Sequence, residues 1–219
     1  MLVKDRMTPN PVTITRQTTI AEALELMRSH NIRRLPIMDK GKLVGIVTDR
    51  DLSEVSPSPA TSLSIFEINY LLAKTKIGDV LPKKQKVYTV SPDAYLEEAA
   101  LVMRDHQVGA VPVVDAKGQL VGIITETNLF DAFLDIMGVR QPGTRIHLAV
   151  EDRPGLLADL ASLIKDYGGN ITHIVSYPIS NPRPGADVDL LIRLSSGKKQ
   201  ELITALRQAG YQVVSVTET

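Results

Sequence analysis

The feature that most constrains this chain is an internal repeat. The segment from Met27 to Ile37 aligns with the segment from Met103 to Val113 at an offset of 76 residues, and Leu43–Leu52 aligns with Leu120–Leu129 at an offset of 77. The extra residue falls in a Gly-containing turn, where a repeat tolerates an insertion. Two copies of one unit predict that the halves pack together, because neither buries its own sheet alone.

Each copy has the same predicted order of elements. A short strand leads to a helix whose apolar residues recur at helical spacing, then come two strands joined by a turn, then a second helix after Thr48 or Thr125. The predicted strands are Val12–Thr15, Leu35–Asp39 and Leu43–Val47 in the first copy, and Tyr88–Ser91, Val111–Asp115 and Leu120–Ile124 in the second.

Segments outside the repeat have other patterns. Ser53–Ser64 is predicted to be a loop, because it is rich in Ser and Pro, and the stretch from Ile65 to Leu72 is predicted to be an amphipathic helix. Met137–Gly143 is predicted to be a linker. After this linker, the predicted order of elements is β-α-β-β-α-β, which is the ferredoxin-like arrangement. Its predicted elements are strand Arg145–Val150, helix Leu156–Tyr167, strands Ile171–Ile179 and Asp187–Leu194 around a Pro-rich loop, helix Lys198–Gln208 and strand Tyr211–Val216.

Composition excludes several classes of function. Lysine plus arginine and aspartate plus glutamate number 25 each, so no net basic charge favours nucleic acid. The chain has no cysteine, which removes disulfides, thiol nucleophiles and thiolate metal sites. No apolar run reaches the roughly 18 residues of a membrane span, and the first residues are not a signal sequence, so we expect a cytoplasmic protein without membrane contact.

The strongest local motif is Gly45-Ile46-Val47-Thr48-Asp49-Arg50-Asp51, which has a partner at Gly122–Asn128. One interpretation is a capping pair, Thr48 with Asp51, that closes a helix start. The other is a ligand site in which the helix start, the Thr48 hydroxyl and Arg50 meet a phosphate and Asp51 accepts from a ribose. Recurrence of the motif after an apolar-Pro strand favours ligand binding.

A second motif is Glu151-Asp152-Arg153-Pro154-Gly155-Leu156-Leu157, followed by Tyr167-Gly168-Gly169-Asn170-Ile171. One interpretation is structural: Asp152 suits the cap of a helix, Pro154 suits its first turn, and Gly168 and Gly169 suit its C-terminal end. As a site, Gly155 permits close approach of a carboxylate to free N–H groups. Both interpretations stay open from the residues alone.

Histidines and lysines give no metal or nucleic-acid signal. His30 and His106 sit at equivalent positions near helix ends, which favours a structural role, and His147 and His173 lie on neighbouring predicted strands without a carboxylate or Cys cluster. We therefore expect no metal. Lys83, Lys84 and Lys86 are predicted to be solvated loop residues, because no aromatic residues interleave them.

Residues 1 to about 135 resemble a pair of CBS domains, and the resemblance implies a cleft for an adenine nucleotide (AMP, ADP or ATP). It implies that the motif residues Thr48, Arg50 and Asp51 bind ribose and phosphate. In the second copy Thr127 replaces the Arg and Asn128 the Asp, which implies a weaker site. The nucleotide-binding positions so implied are Thr13, Ile14, Leu35, Pro36, Thr48, Arg50 and Asp51 with Thr89, Val90, Val111, Pro112, Thr125 and Asn128.

Residues 144 to 219 resemble an ACT domain, through Asp152–Leu157 and the Gly-x-Asn-Ile that follows the helix. The resemblance implies a βαββαβ unit that often binds an amino acid at a dimer interface. The implied amino-acid-binding positions are Asp152, Arg153, Pro154, Gly155, Leu156, Asn170 and Ile171.

A CBS pair followed by one ACT domain resembles the bacterial acetoin-utilisation (AcuB) family. We expect an α/β (α+β) protein with CBS repeats at 1–75 and 76–137, a linker at 138–143 and an ACT domain at 144–219. The resemblance implies a homodimeric, non-enzymatic sensor of small ligands in acetoin- or acetate-related carbon metabolism that acts on a partner protein.

No catalytic residue is predicted, since no P-loop, zinc-helix motif or Gly-x-Gly-x-x-Gly is present. Two alternatives stay open: a structural dimerisation protein with empty sites, and a non-catalytic accessory subunit of an enzyme complex.

Overall fold

The computed structural model describes residues 1–55, 63–82 and 85–218, without the side chains of 180–183. Most of the predicted Ser/Pro loop, and both Lys83 and Lys84, lie outside these residues. The chain divides into two units, Met1–Phe130 and Asp131–Thr219. None of the helices in the described ranges is long and apolar enough to cross a membrane. The domain boundaries expected from sequence remain predictions.

The first repeat forms two helices around a hairpin. Thr19 starts the first helix, because its hydroxyl accepts from the N–H of Glu22 (3.2 Å) while the Glu22 carboxylate accepts from the N–H of Thr19 (2.8 Å). Buried Ile20, Ala23 and Met27 follow at helical spacing and pack on the hairpin. The elements are α1 (Ile20–Ser29), β2 (Arg34–Asp39), β3 (Lys42–Thr48) and α2 (Asp49–Val55), preceded by β1 (Thr8–Pro9).

The second repeat has the same elements in the same order, which confirms the predicted duplication and the mixed α/β fold class. Two helices precede it, and one of them contains the amphipathic segment expected from sequence. Between the repeats lie α3 (Ile65–Lys74) and α4 (Ile77–Val80), and the repeat itself consists of α5 (Leu96–His106), β4 (Ala110–Val114), β5 (Leu120–Thr125) and α6 (Glu126–Ile136).

Strand β1 precedes the first repeat but pairs with the second: Thr8 lies opposite Ile123 and Pro9 opposite Gly122 of β5. The segment before the second repeat is in turn attached to the first, where the Gln85 side chain is hydrogen bonded to the main chain of Ile46. Each repeat is therefore completed by the segment that leads into the other.

The predicted strands Val12–Thr15 and Tyr88–Ser91 are wrong. The first is a single parallel bridge between Ile14 and Ile37, with Ile14 N–H donating to the Pro36 carbonyl (3.0 Å). A longer parallel ladder would need an N–H from Pro36, which proline lacks. The second repeat has the same bridge between Val90 and Val113, next to Pro112.

The second unit is the predicted βαββαβ arrangement, with both helices on one face of an antiparallel sheet of order β7-β8-β6-β9. Leu148, Leu160 and Ile192 are among the fully buried residues between helices and sheet. Its elements are β6 (Thr144–Val150), α7 (Leu156–Asp166), β7 (Asn170–Arg183), β8 (Ala186–Ser195), α8 (Lys199–Gln208) and β9 (Gln212–Glu218). Strands β7 and β8 extend through the segment predicted as a Pro-rich loop, leaving a tight turn at Pro184-Gly185.

Candidate functional site

The main candidate site is a cavity of about 470 Å³ in the first unit, at the junction between β3 and α2. This volume lies within the range of roughly 300–1,000 Å³ that small-molecule sites occupy. Both repeats contribute to it. The lining residues are Arg34, Ile46, Thr48, Asp49, Arg50 and Asp51 from the first repeat, and Gln85, Lys86, Val87, Tyr88, Gln107, Val108, Gly109, Ala110 and Pro112 from the second repeat and the segment before it.

Thr48 and Asp51 are joined by three hydrogen bonds. The Asp51 Oδ2 accepts from the Thr48 N–H and from its hydroxyl, both at 2.8 Å, and the Asp51 N–H donates to Thr48 Oγ1 at 3.1 Å. The capping pair expected from sequence is therefore present. It uses only one carboxylate oxygen among the described contacts, which leaves Asp51 Oδ1 able to accept from a ligand hydroxyl.

Thr125 and Asn128 form the same capping pair in the second repeat. Asn128 Oδ1 accepts from the Thr125 N–H at 2.9 Å and from its hydroxyl at 2.8 Å. The remaining polar atom of Asn128 is then Nδ2, a donor, whereas that of Asp51 is an acceptor. The two motifs are equivalent as caps but offer opposite hydrogen-bonding groups to a ligand.

Three cationic side chains line the cavity: Arg34, Arg50 and Lys86. Arg50 is exposed and forms an ion pair with Glu54 across one helical turn, with 2.9 Å between Nε and Oε1. An exposed pair of this kind contributes little to stability, so Arg50 is available to an anionic ligand at small cost. The cations suit a phosphate group, which Arg binds with paired donors.

An aromatic ring, that of Tyr88, also lines the cavity. The ring of Tyr88 is stacked on the imidazole of His106, with centroids 3.6 Å apart and planes 9° apart. The Lys86 ammonium lies 4.9 Å from the centroid of the same ring. His106 thus acts as a structural residue that fixes Tyr88, in line with the structural interpretation of this histidine.

The structure brings together only some of the predicted nucleotide-binding residues. Thr48, Arg50, Asp51 and Pro112 line the cavity, whereas Ile14 and Leu35 are buried in the core of the first repeat. Val90 and Val111 are likewise buried, and Thr13 and Thr89 are exposed. Pro36 is buried, and neither it nor Thr125 and Asn128 are among the residues that line this cavity.

The sequence analysis missed Arg34 of the first repeat and most of the lining residues that the second repeat and the segment before it supply. The missed lining residues include Arg34, Gln85, Lys86, Tyr88 and Gly109. Gln85, Lys86 and Tyr88 lie in the segment that leads into the second repeat but packs on the first, and a single sequence does not reveal this exchange.

The ACT-like loop lines a smaller cavity of about 260 Å³. Asp152, Arg153, Gly155 and Leu156 line it, together with Ser176 and apolar neighbours, but Pro154, Asn170 and Ile171 do not. Asn170 lies opposite Ser195, at the other end of β7 from this loop.

Asp152 is not the helix cap predicted from sequence. Gly155 occupies that position in a left-handed conformation (φ +87°), so Leu156 is the first helical residue and Pro154 precedes the helix. The Asp152 N–H instead donates to Asp187 Oδ1 at 2.7 Å. The hydrogen bond and charge of Asp159 raise the pKa of Arg153, whose guanidinium lies 2.6 Å from that carboxylate.

His147 and His173 are not on neighbouring strands, because β8 lies between β6 and β7. His147 Nε2 is 2.9 Å from Asp189 Oδ1, and both side chains are largely buried. In the described parts of the chain, no group of three or more His, Asp or Glu side chains is placed to hold a metal ion.

Comparison with known proteins supports the duplication and the change of fold along the chain. The CBS domain family model matches residues 3–58 and 77–135, and the ACT domain family model matches residues 144–211. A CBS domain-containing protein of Dictyostelium discoideum is 35% identical over 138 residues, which are 63% of this chain and 94% of that protein.

Two solved structures have similar folds over the CBS pair. A protein described as an acetoin utilization protein (AcuB), from Vibrio cholerae, is 35% identical with a TM-score of 0.51, over 64% of this chain and 95% of that chain. The CBS domain pair of protein MJ0100, in complex with 5′-methylthioadenosine and S-adenosyl-L-methionine, is 30% identical with a TM-score of 0.50, over 64% of this chain and 98% of that chain. Because the two CBS matches span more than half of the sequence, the chain belongs to the CBS domain family, and it carries two CBS repeats followed by an ACT domain.

Proposed function

We propose that the protein is a regulatory sensor that binds an adenine nucleotide (AMP, ADP or ATP) in the cavity beside Thr48 and Asp51. The observation that carries this proposal is the composition of one cavity: an acceptor oxygen for a ribose, three cations for phosphate and an apolar wall for a base. The related MJ0100 CBS pair was solved with two adenosine-containing ligands, which supports the same class of ligand here.

In this arrangement Asp51 Oδ1 accepts from the ribose hydroxyls. Arg50 exchanges Glu54 for the phosphate, while Arg34, the cross-strand neighbour of Thr48, and Lys86 add positive charge. The base lies against Val87, Tyr88 and Pro112, which are among the apolar and aromatic lining residues. Two acids, Asp49 and Asp51, also line the cavity, so the number of phosphates is limited by repulsion.

The regulatory output belongs to the same proposal. We infer a homodimer in the cytoplasm that acts through a partner protein rather than through catalysis, and the similarity to the Vibrio cholerae protein supports a role in acetoin-related metabolism. An amino acid at the loop of Asp152–Leu156 is a second ligand proposal, supported by the cavity that this loop lines.

Isothermal titration calorimetry with AMP, ADP and ATP tests the nucleotide proposal. The variant Asp51→Ala should bind about 10- to 150-fold more weakly, since a charged hydrogen bond contributes about 1.5–3 kcal/mol. Asp105→Ala is the control, because Asp105 is an exposed helical carboxylate outside the cavity. Unchanged affinity in Asp51→Ala contradicts the assignment, and no binding of any nucleotide by the native chain favours the structural dimer with empty sites.

A further inference from the structure

The two repeats carry different side chains where β2 and β4 begin. Arg33 and Arg34 of the first repeat occupy the positions that Gly109 and Ala110 occupy in the second, at the offset of 76 residues. The main chain is the same in both copies: the first N–H of α2 donates to the Arg33 carbonyl (3.0 Å), and the first N–H of α6 donates to the Gly109 carbonyl (3.2 Å). The repeats therefore differ here in charge and side-chain size, not in backbone structure.

Gly109 leaves room for the end of an arginine from the first repeat. Arg34 Nη2 lies 2.3 Å, and Glu126 Oε2 lies 2.8 Å, from the position that a Cβ of Gly109 would occupy. The two oppositely charged ends are therefore close together, over the main chain of Gly109. The corresponding place in the other half of the CBS pair cannot form the same arrangement, because Arg33 replaces the glycine there and Ala110 replaces the arginine.

Arg34 connects the motifs of the two repeats. Its main chain lies opposite Thr48 in the ladder between β2 and β3, and its side chain lines the cavity. The end of that side chain lies beside Glu126, which directly follows Thr125 in the motif of the second repeat. Glu126 is not among the lining residues, so it attracts the guanidinium from outside the space that a ligand would fill.

Both arginines that line the cavity thus have an acid beside them with which a phosphate has to compete. Arg50 is paired with Glu54 of its own helix, at 2.9 Å, and its side chain is 85% exposed. Arg34 is partly buried, so solvent screens its attraction to Glu126 less. The acid beside Arg34 also belongs to the other repeat, so its charge depends on what the motif of that repeat binds.

We propose that Glu126 competes with the ligand phosphate for Arg34, and that this competition lowers the affinity of the cavity beside Thr48 for phosphorylated ligands. When a nucleotide binds, Arg34 turns from Glu126 to the phosphate, whereas a nucleoside leaves the two residues together. A group that binds Glu126 at the motif of the second repeat therefore strengthens phosphate binding in the first. This inference rests on the proposed nucleotide site and adds a specificity-determining pair and a route of regulation to it.

Calorimetry on the full chain, with AMP, ADP and ATP each compared with adenosine, isolates the contribution of the phosphate. Glu126→Gln should strengthen nucleotide binding about two- to fivefold, the range for loss of one exposed ionic attraction, and should leave adenosine unchanged. Arg34→Gln should weaken nucleotide binding about tenfold or more, again with adenosine unchanged. Glu97→Gln is the control, because Glu97 is an exposed acid in the first turn of α5, as Glu126 is in α6, and does not line the cavity.

The double variant separates competition for Arg34 from direct repulsion between Glu126 and the phosphate. Repulsion would persist without the arginine, whereas competition ends with it, so Glu126→Gln should bring no gain when added to Arg34→Gln. Unchanged nucleotide affinity in Glu126→Gln, an equal gain in the Arg34→Gln background, or an equal gain for adenosine overturns this proposal and leaves the nucleotide site in place. If the native chain binds none of the three nucleotides, the proposed function fails, and this proposal fails with it.

Discussion

The side-chain amide of Gln85 is paired with the main chain of Ile46 through two hydrogen bonds. Ile46 N–H donates to Gln85 Oε1 and Gln85 Nε2 donates to the Ile46 carbonyl, each at 2.9 Å. The amide takes the place of a neighbouring strand on β3, much as β1 pairs with β5 in the other repeat. Because both residues line the cavity beside Thr48 and Asp51, this contact also fixes the position of Lys86, Val87 and Tyr88.

Gln85→Leu should therefore lower both stability and nucleotide affinity. It leaves an N–H and a carbonyl of a partly buried strand without this partner, and such losses cost about 1–3 kcal/mol. Urea unfolding measures the change in free energy, and calorimetry measures affinity. Gln119→Leu, at an exposed glutamine in the turn before β5, is the control. Equal stability of the two variants would show that the amide pairing contributes nothing.

Exchanging the motif residues of the two repeats tests which atom of Asp51 matters. Asp51→Asn preserves the cap, because Asn128 forms that cap in the second repeat, but it replaces the free acceptor with a donor. We expect unchanged thermal stability and about tenfold or greater loss of nucleotide affinity.

Asn128→Asp supplies the reverse exchange and should strengthen binding beside Thr125, the weaker site in our prediction. A crystal structure with nucleotide, in both variants and in the native chain, measures occupancy of each site. Nucleotide bound only beside Thr125 in the native chain would reverse the ranking.

Gly109→Ala should reduce nucleotide affinity with little effect on stability. A Cβ at this position would collide with the Arg34 guanidinium and come within 2.8 Å of Glu126 Oε2. Both are ends of flexible side chains, so the fold can accommodate the methyl group by moving Arg34 out of the cavity. Gly197→Ala is the control, because nothing lies within 4 Å of its Cβ position. Affinity equal to the native chain would show that Arg34 does not bind the ligand.

Element order was predictable from sequence because it depends on local chemistry. The capping pairs Thr48–Asp51 and Thr125–Asn128, the apolar spacing of α1 and α5 and the turn glycines all act over a few residues. The bridges at Ile14 and Val90 were predicted as strands because the effect of Pro36 and Pro112 depends on a ladder partner distant in the sequence.

The candidate site was only half predictable for the same reason. Thr48, Arg50 and Asp51 belong to one motif and were found together, whereas Lys86 and Tyr88 reach the cavity through the exchange of leading segments and Gly109 comes from within the second repeat. Because the two repeats are similar in sequence, the sequence does not show whether the segment leading into each repeat packs on that repeat or on the other one. The proximity of Arg34 and Glu126 likewise depends on how the two repeats pack together, which the sequence did not specify.

If the protein is the predicted homodimer, we expect helix α6 to lie in the interface between the two chains. Phe130, Phe133 and Ile136 recur at every third residue of this helix and are 61%, 55% and 52% exposed. Exposed apolar stripes of this kind mark protein interfaces. Light scattering should give twice the 24.0 kDa chain mass for the native protein and a lower mass for Phe133→Glu. Phe66→Glu, at an 82% exposed phenylalanine of α3, should remain dimeric. A native mass of one chain at micromolar concentration contradicts the dimer.

Gly138→Ala should loosen the contact between the segment after α6 and the sheet. Gly138 has a φ of +63°, a conformation that costs a residue with a Cβ about 1–2 kcal/mol, and its Cβ would also come within 2.6 Å of His173 Cε1. Gly210→Ala separates these two effects, because Gly210 also has a positive φ (+88°) but nothing lies within 4 Å of its Cβ position. We expect a similar loss of stability from the strain in both variants, and an additional loss only in Gly138→Ala. Urea unfolding measures the free energy of unfolding of each variant. Equal losses in the two variants would show that the contact of this segment with His173 contributes nothing to stability.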